Sequence, residues 1–404
     1  MTGTFVSQLI PFLVSPILTR IYTPEEFGEF GLFFSLVMVC SVFVSGRYEM
    51  SIVLPKSDKD AENILGLSIL LSLISSCILF LAIVFFKNQI LGLFHTSRFY
   101  FGLFVVPVAV FFTGVYQALN YWNYRKETYN TVSISRASRS LNSSLCSIIL
   151  GLTALKKSGL IIGDILGQLV STLLLLYRTL KHSPHVFKSI KFADIKIQAL
   201  RYKQFPMYNL TSGLLEKTSS HSPTMLLSNF FGDTVTGFFS FSMRIISAPS
   251  AIVAKAIGDI FRQEAIKEYD RNNNCKNLFI KTFFKLITLS GVPFILFYLF
   301  APEIFEIVFG QQWKIAGQYA KILTPMFFLQ FVVSPLSNMF LIAEKQKIDF
   351  IIQVALLGMV MGSFYLGYSL FKNPDFCILL YAVTYCIKYI FELLLSYQFS
   401  LGKK

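Results

Sequence analysis

The sequence predicts an all-α integral membrane protein: about 12 transmembrane helices in two pseudo-symmetric six-helix lobes around a central cavity. Three observations lead there. Apolar runs of about 20 residues recur from end to end, each long enough to cross a hydrocarbon core of roughly 30 Å at 1.5 Å per residue. Charged residues make up 14 % of the chain and hydrophobic residues 54 %, with 43 phenylalanines, whereas an ordinary soluble domain carries about 25 % charge. The second half of the chain also repeats features of the first. Lipid offers no hydrogen bonds to a backbone, so each run must be a helix. No secretory signal pattern is present.

The spans read approximately 4–22, 28–53, 63–86, 99–122, 130–153, 158–180, 204–229, 235–261, 276–300, 316–342, 348–370 and 374–397. Spans 1, 5 and 7 are weak by hydropathy. Span 5, "TVSISRASRSLNSSLCSIILGLTAL", is rich in Ser, Arg and Asn, and such a helix needs its polar face shielded from lipid. Cys40, Cys77, Cys146, Cys377 and Cys386 fall inside spans and Cys275 in a basic loop, with no CxxC spacing. Packing, rather than a disulfide framework, metal or redox site, is the expected use of these thiols.

The net charge of +14 needs no nucleic acid, because basic residues of a membrane protein collect in cytoplasmic loops. With twelve spans the loops alternate, and 21 basic residues fall on one side against 8 on the other. The richer side is read as cytoplasmic, with both termini there. The longest polar stretch, residues 178–204, is basic and spaced with Val186, Phe187, Ile190, Ile195, Ile197 and Leu200. It reads as an interfacial amphipathic linker. The expected organisation is therefore an N-terminal lobe 1–180, a linker 181–203 and a C-terminal lobe 204–404. The outer loops are about 5–15 residues long, too short for a soluble catalytic domain.

The repeat is visible in the turns. "SPILTRIYTPEEFGEFGLFFS" matches "SPTMLLSNFFGDTVTGFFSFS", placing Gly28 against Gly237 at an offset of 209. "LGLF" and "YWNYRKETY" around span 4 resemble "IVFG" and "LIAEKQKID" around span 10. Six-span repeats keep the same orientation, are related by an axis along the membrane normal, and bind substrate between the copies.

Each charge at the bilayer centre costs roughly 2.5–3.5 kcal/mol on insertion scales, yet the spans carry Arg47, Arg136, Arg139, Lys217, Arg244, Lys255 and Lys388 with Glu49, Asp164, Glu216, Asp259 and Glu392. Helical spacing groups Arg136, Arg139 and Ser143; Asp164, Gln168 and Ser171; Asn209, Ser212, Glu216 and Ser220; and Arg244, Ala248, Ala251, Lys255 and Asp259. Lys388 and Glu392 form an i, i+4 pair. Arg47 and Glu49 would point about 200° apart on a helix and could not pair. One would face a water-filled cavity and the other a neighbouring helix, or Arg47 would snorkel to the surface. The basic residues define a cationic cavity reachable from the cytoplasm. Arginine suits pyrophosphate through parallel charge-assisted hydrogen bonds.

"SQLIPFLVSPILTRIYTPEEFGEFGLF", then "GRYEMSIVLP" and "KSDKDAENI", resembles the opening of the Wzx-type O-antigen flippases of the multidrug/oligosaccharidyl-lipid/polysaccharide exporter superfamily. The resemblance covers essentially the whole chain and is strongest before residue 65. It implies transfer of undecaprenyl-pyrophosphate-linked oligosaccharide from the inner to the outer leaflet of the bacterial inner membrane by alternating access. It also implies a role in lipopolysaccharide or related surface-glycan assembly, and contact with other polysaccharide assembly proteins. Related lipid II flippases place arginines on spans 1, 2 and 8, and by position Arg20, Arg47 and Arg244 correspond. The chain begins inside span 1, so the start of the protein is expected upstream or the form is shortened.

The competing reading is an ion-coupled drug/cation antiporter of the same superfamily. It would want a carboxylate-rich cavity, whereas the intramembrane charges favour cations. Asp164 or Glu216 could couple transport to a proton or sodium gradient, or pair with neighbouring bases. A membrane-embedded polymerase would show a long outer loop, a glycosyltransferase a D-x-D pair and an acyltransferase an intramembrane histidine. Among His95, His182, His185 and His221, only His221 lies in a span, where packing is its expected role. The sequence thus reads as a transporter, with no catalytic residue, cofactor or metal.

Overall fold

The computed structural model describes the backbone of residues 2–94, 99–184, 187 and 190–402, with side chains from Ser7 onward. Arg98, Lys188, Lys403 and Lys404, which belong to the loop charges counted from the sequence, and Val186, His95 and His185 lie outside the described residues. The described chain is helical throughout, without strands. It forms two compact units, Met1–Gly237 and Phe238–Lys404. The first unit therefore takes in the span that follows the basic linker.

The helices of the first unit are α1 (Thr2–Ile21), α2 (Pro24–Cys40), α3 (Asp58–Leu93), α4 (Tyr100–Arg125), α5 (Tyr129–Gly151), α6 (Gly159–His182) and the linker helix α7 (Phe192–Arg201). Helix α8 (Leu210–Asn272) breaks at Gly232, whose φ of 78° is left-handed, so residues 210–231 and Asp233–Asn272 form separate helical segments. The second unit continues through α9 (Lys276–Phe309), α10 (Lys314–Leu336), the single turn α11 (Met339–Ile342), α12 (Gln346–Phe371) and α13 (Pro374–Ser400). Among the described residues, eight helices are long and apolar enough to cross a membrane. Helices α1, α2, α5 and residues 210–231 fall outside that set. Three of these are the spans already weak in the sequence.

Helix α2 is the unexpected one. Its start is well specified: Thr23 caps it, the Thr23 N–H donates to Glu26 Oε2 at 2.8 Å, the Thr23 hydroxyl accepts from the Glu26 N–H at 3.4 Å, and Pro24 occupies the first turn. Its end is not where the apolar run predicts. The helix stops at Cys40, 17 residues long, and the chain continues to Val53 as turns and a 3-10 segment, Tyr48–Val53. The expected helix over 28–53 is thus half irregular. Backbone groups there remain paired through i to i−3 bonds, such as Gly46 N to Phe43 O at 3.0 Å and Met50 N to Arg47 O at 3.2 Å. That pairing is what makes irregular backbone tolerable inside a bilayer.

Helix α5 is inverted relative to a soluble helix. Ser135, Ser144 and Ser147 are buried, while Ile134, Leu141, Leu145 and Ile149 are exposed. Glycines make the inward packing close. A Cβ on Gly167 of α6 would lie 2.7 Å from Ser143 Cβ and 2.8 Å from the Arg139 carbonyl, and one on Gly163 would lie 2.9 Å from Ser147 N. This is a small-xxx-small contact, which lets membrane helices approach backbone to backbone.

Helix α7 docks on the start of α3. Lys59 pairs with Asp194 at 3.1 Å, and Gln198 Nε2 donates to Asp60 Oδ1 at 3.0 Å. Ile195 is buried, while Phe192, Ile197 and Leu200 stay exposed.

Two local structures carry the repeat. In the first unit the opening of α2 crosses the stretch after the Gly232 break. A Cβ on Gly28 would overlap the Asp233 carbonyl, and one on Gly237 would overlap the Pro24 carbonyl. Thr234 Oγ1 donates to Glu25 Oε1 at 2.8 Å across the same crossing. The second is the turn after α4 and its counterpart after α11. Glu127 and Glu344 both adopt φ 56°. Thr128 N bonds Asn123 O at 3.0 Å, and Lys345 N bonds Phe340 O at 2.8 Å. Both are left-handed helix ends of the same hydrogen-bond pattern.

The second unit packs around aromatic rings. Trp313 is fully buried, with ring centroids 4.5 Å from Phe241 and 5.9 Å from Phe238. Gly317 lets α10 close on α9, since a Cβ there would stand 2.5 Å from Pro302 Cα.

Candidate functional site

In the first unit the irregular segment after α2 presents the charge of greatest interest. Gly46 and Arg47 are both left-handed, at φ 59° and 62°. For arginine this is a sparsely occupied conformation that surrounding structure must hold. Glu49 is buried at 1 % exposure and accepts a short hydrogen bond from the Ser45 hydroxyl. Arg47 Nη1 stands 4.0 Å from Glu49 Oε1. The sequence reading, which set the two residues about 200° apart on a helix, is corrected here. The segment is not α-helical, so residues two apart can meet.

The Arg47 guanidinium lies against Gly213 of α8, where a Cβ would overlap Nη2. Its Nε is buried with no hydrogen-bond partner in the protein, and the side chain keeps 20 % exposure. A contact of 4.0 Å is not a bidentate pair, so guanidinium donors remain for an anion.

Tyr121 of α4 lies within electrostatic reach of both Glu49 and Arg47. Its ring is 6.0 Å from that of Tyr124, and Tyr124 OH accepts from Arg136 Nη2 at 2.5 Å. Gln117, Asn120, Tyr121 and Tyr124 share one half-buried face of α4, and the side-chain oxygens of Gln117 and Asn120 are buried without partners. Arg139 Nη2 stands 3.7 Å from Asp164 Oδ1 across the α5–α6 contact. The structure thus brings Arg47, Glu49 and Arg136 into one tyrosine-linked cluster. Lys217 pairs with its neighbour Glu216 at 3.3 Å, with Glu216 exposed. Arg20 is exposed in the last turn of α1. His221 packs edge-on against Phe34, with rings 5.9 Å apart. The four tyrosine and amide positions on α4 escaped the sequence reading, although their i, i+3, i+4, i+7 spacing could have revealed them.

In the second unit Arg244 is half-buried on α8. Lys255 and Asp259 line a cavity of about 350 Å³ together with Gln330, Ser334 and Asn338. Lys388 Nζ pairs with Glu392 Oε1 at 2.8 Å, the two side chains being 10 % and 5 % exposed. Of the cysteines, Cys275 is fully buried in the loop before α9, as packing requires, and Cys77 is exposed on α3. Among the described residues no cluster of His, Cys, Asp or Glu could hold a metal ion.

Apolar spans, charges held inside them and paired backbone at the irregular segment define a multi-pass membrane protein with the fold of a transporter. The fold matches a multidrug resistance MATE family transporter of the MOP superfamily in its inward-facing conformation, with TM-score 0.74, 14 % identity and coverage of 96 % of this chain and 93 % of that one. It also matches the lipid II flippase MurJ in an inward closed conformation, with TM-score 0.76, 14 % identity and coverage of 98 % and 87 %. Residues 17–317 match the polysaccharide biosynthesis protein family, and the chain belongs to that family. It is similar to the succinoglycan biosynthesis transport protein ExoT of Rhizobium meliloti (strain 1021), 23 % identical over 327 residues. That match takes in 78 % of this chain and 61 % of the relative's length.

Proposed function

We propose that the protein is a flippase that carries an undecaprenyl-pyrophosphate-linked oligosaccharide from the cytoplasmic to the periplasmic leaflet of the bacterial inner membrane by alternating access. The observation that carries this reading is Arg47. It is an intramembrane arginine on strained backbone, beside a buried carboxylate, with guanidinium donors uncommitted to any bidentate pair. Arg136, reached through Tyr121 and Tyr124, supplies a second fork for the same diphosphate. Membership of a polysaccharide biosynthesis family and likeness to a protein named as a succinoglycan transporter support a glycan cargo. Likeness to a structure titled as a lipid II flippase supports a lipid-linked one. The charge count of the loops supports both termini being cytoplasmic. Asp164, opposite Arg139, is the carboxylate we assign to coupling with a proton or sodium gradient.

The test is mass spectrometry of membrane lipids from cells lacking the protein. Accumulation of undecaprenyl-pyrophosphate-oligosaccharide with loss of surface glycan is the expected result. An unchanged lipid-linked pool with raised sensitivity to cationic drugs would replace this reading by the antiporter.

A further inference from the structure

The second unit holds more built polar space than a pyrophosphate site needs. The cavity beside Lys255 and Asp259 adjoins another of about 410 Å³, bounded by α10, α12 and α13. Gln330, Ser334 and Asn338 line both. Each volume falls within the roughly 300–1,000 Å³ of small-ligand sites. Polar residues enter at helical spacing from each wall: Gln330, Ser334 and Asn338; Asp349 and Gln353; Lys388 and Glu392. The outward faces of the same helices are apolar, with Ile351 and Val354 of α12 and Ile387 and Ile390 of α13 exposed.

Charge narrows the ligand class. Lys255 and Lys388 stand against Asp259, Asp349 and Glu392. Lys388 and Glu392 neutralise each other at 2.8 Å, and Lys388 Nζ lies 4.3 Å from the centre of the Tyr389 ring. One lysine and two carboxylates remain, an excess of negative charge that repels a diphosphate. An isoprenoid tail would strand amides and carboxylates without water. A cation would find the ring of Tyr389 already covered by an ammonium. A polyhydroxyl ligand suits every group present, because each hydroxyl both donates and accepts.

We propose that these adjoining cavities are the subsite for the saccharide part of the substrate, with Gln330 and Gln353 as its principal hydrogen-bonding residues. The assignment rests on the flippase reading and adds to it a saccharide-binding role for the amides of the second unit.

The experiment uses the full-length protein in its own membranes, with a photo-crosslinking amino acid at position 353 and, separately, at position 121. After irradiation, peptides are analysed for adducts with the cell's lipid-linked glycan. Capture at both positions is expected. The double variant Gln330→Ala/Gln353→Ala should reach the membrane at normal level and lower surface glycan by about tenfold, the worth of two lost hydrogen bonds. Capture at 121 without capture at 353, or normal surface glycan in the double variant, overturns the saccharide subsite and leaves the flippase standing. Absence of a lipid-linked pool in cells lacking the protein overturns the flippase reading itself.

Discussion

Arg47 joins two demands in one residue. Its side chain supplies charge inside the membrane, and its backbone occupies a conformation that suits glycine. The two can be separated by substitution. Arg47→Ala and Arg47→Gly both remove the guanidinium, so both should abolish surface glycan while protein remains in the membrane. Only glycine relieves the left-handed backbone, so in purified protein the glycine variant should melt above the alanine variant by an increment equivalent to ~1–2 kcal/mol. Arg47→Lys should recover little glycan, because an ammonium lacks the planar fork. Lys388 and Glu392 pose the opposite problem, two buried charges that satisfy each other. Lys388→Met strands the carboxylate and should cost ~3–5 kcal/mol, with most of that loss recovered in Lys388→Met/Glu392→Leu. Thermal unfolding of the single and double variants checks it; equal melting of both would refute the pairing argument.

At the scale of elements, the eight most apolar spans were legible because apolar runs of membrane length leave few alternatives. The break after Cys40 was not. The run "FGLFFSLVMVCSVFV" has the hydropathy of a continuous helix, and nothing local marks Ser41 as its end. The irregular path depends on contacts that are distant in sequence, such as Arg47 against Gly213. The same limit explains the sites. Charges in apolar text announced themselves, whereas the Gln117–Tyr124 face of α4 and Gln330 of α10 are uncharged polar residues whose setting is built by other helices. Helix α5 was readable as a shielded polar span, and the glycines of α6 provide the shielding. Gly167→Val should therefore separate α5 from α6, at ~1–3 kcal/mol for overpacking, and lower the amount of folded protein. The control Val170→Ala, on the exposed face of α6, should leave it unchanged. Fluorescence-detected gel filtration of tagged variants makes the comparison.

For the molecule as a whole, the basic linker fixes the expected orientation. Helix α7 lies against the start of α3 with Phe192, Ile197 and Leu200 exposed beside Lys191, Lys196 and Arg201, a composition suited to an anionic membrane surface. A reporter fused at residue 190 should signal cytoplasm, and a periplasmic signal would invert the topology. Equivalent turns at Glu127 and Glu344, with the same φ and the same hydrogen bonds, show that the repeat seen in the text of the chain is also a repeat of local structure.

The crossing of Gly28 and Gly237 has a bearing on ancestry. Pro24 and Asp233, Glu25 and Thr234, and Gly28 and Gly237 each stand 209 positions apart. Each glycine faces the carbonyl of the residue four positions before its partner, Asp233 for Gly28 and Pro24 for Gly237. Such reciprocity is the mark of an isologous contact between identical copies. A half-length ancestor pairing with itself would have formed this joint from one set of residues. Any substitution that let its backbone approach more closely would have improved both sides at once. In a chain of two fused copies each side would be free to change on its own, except at the two glycines, where a Cβ would strike the opposite carbonyl.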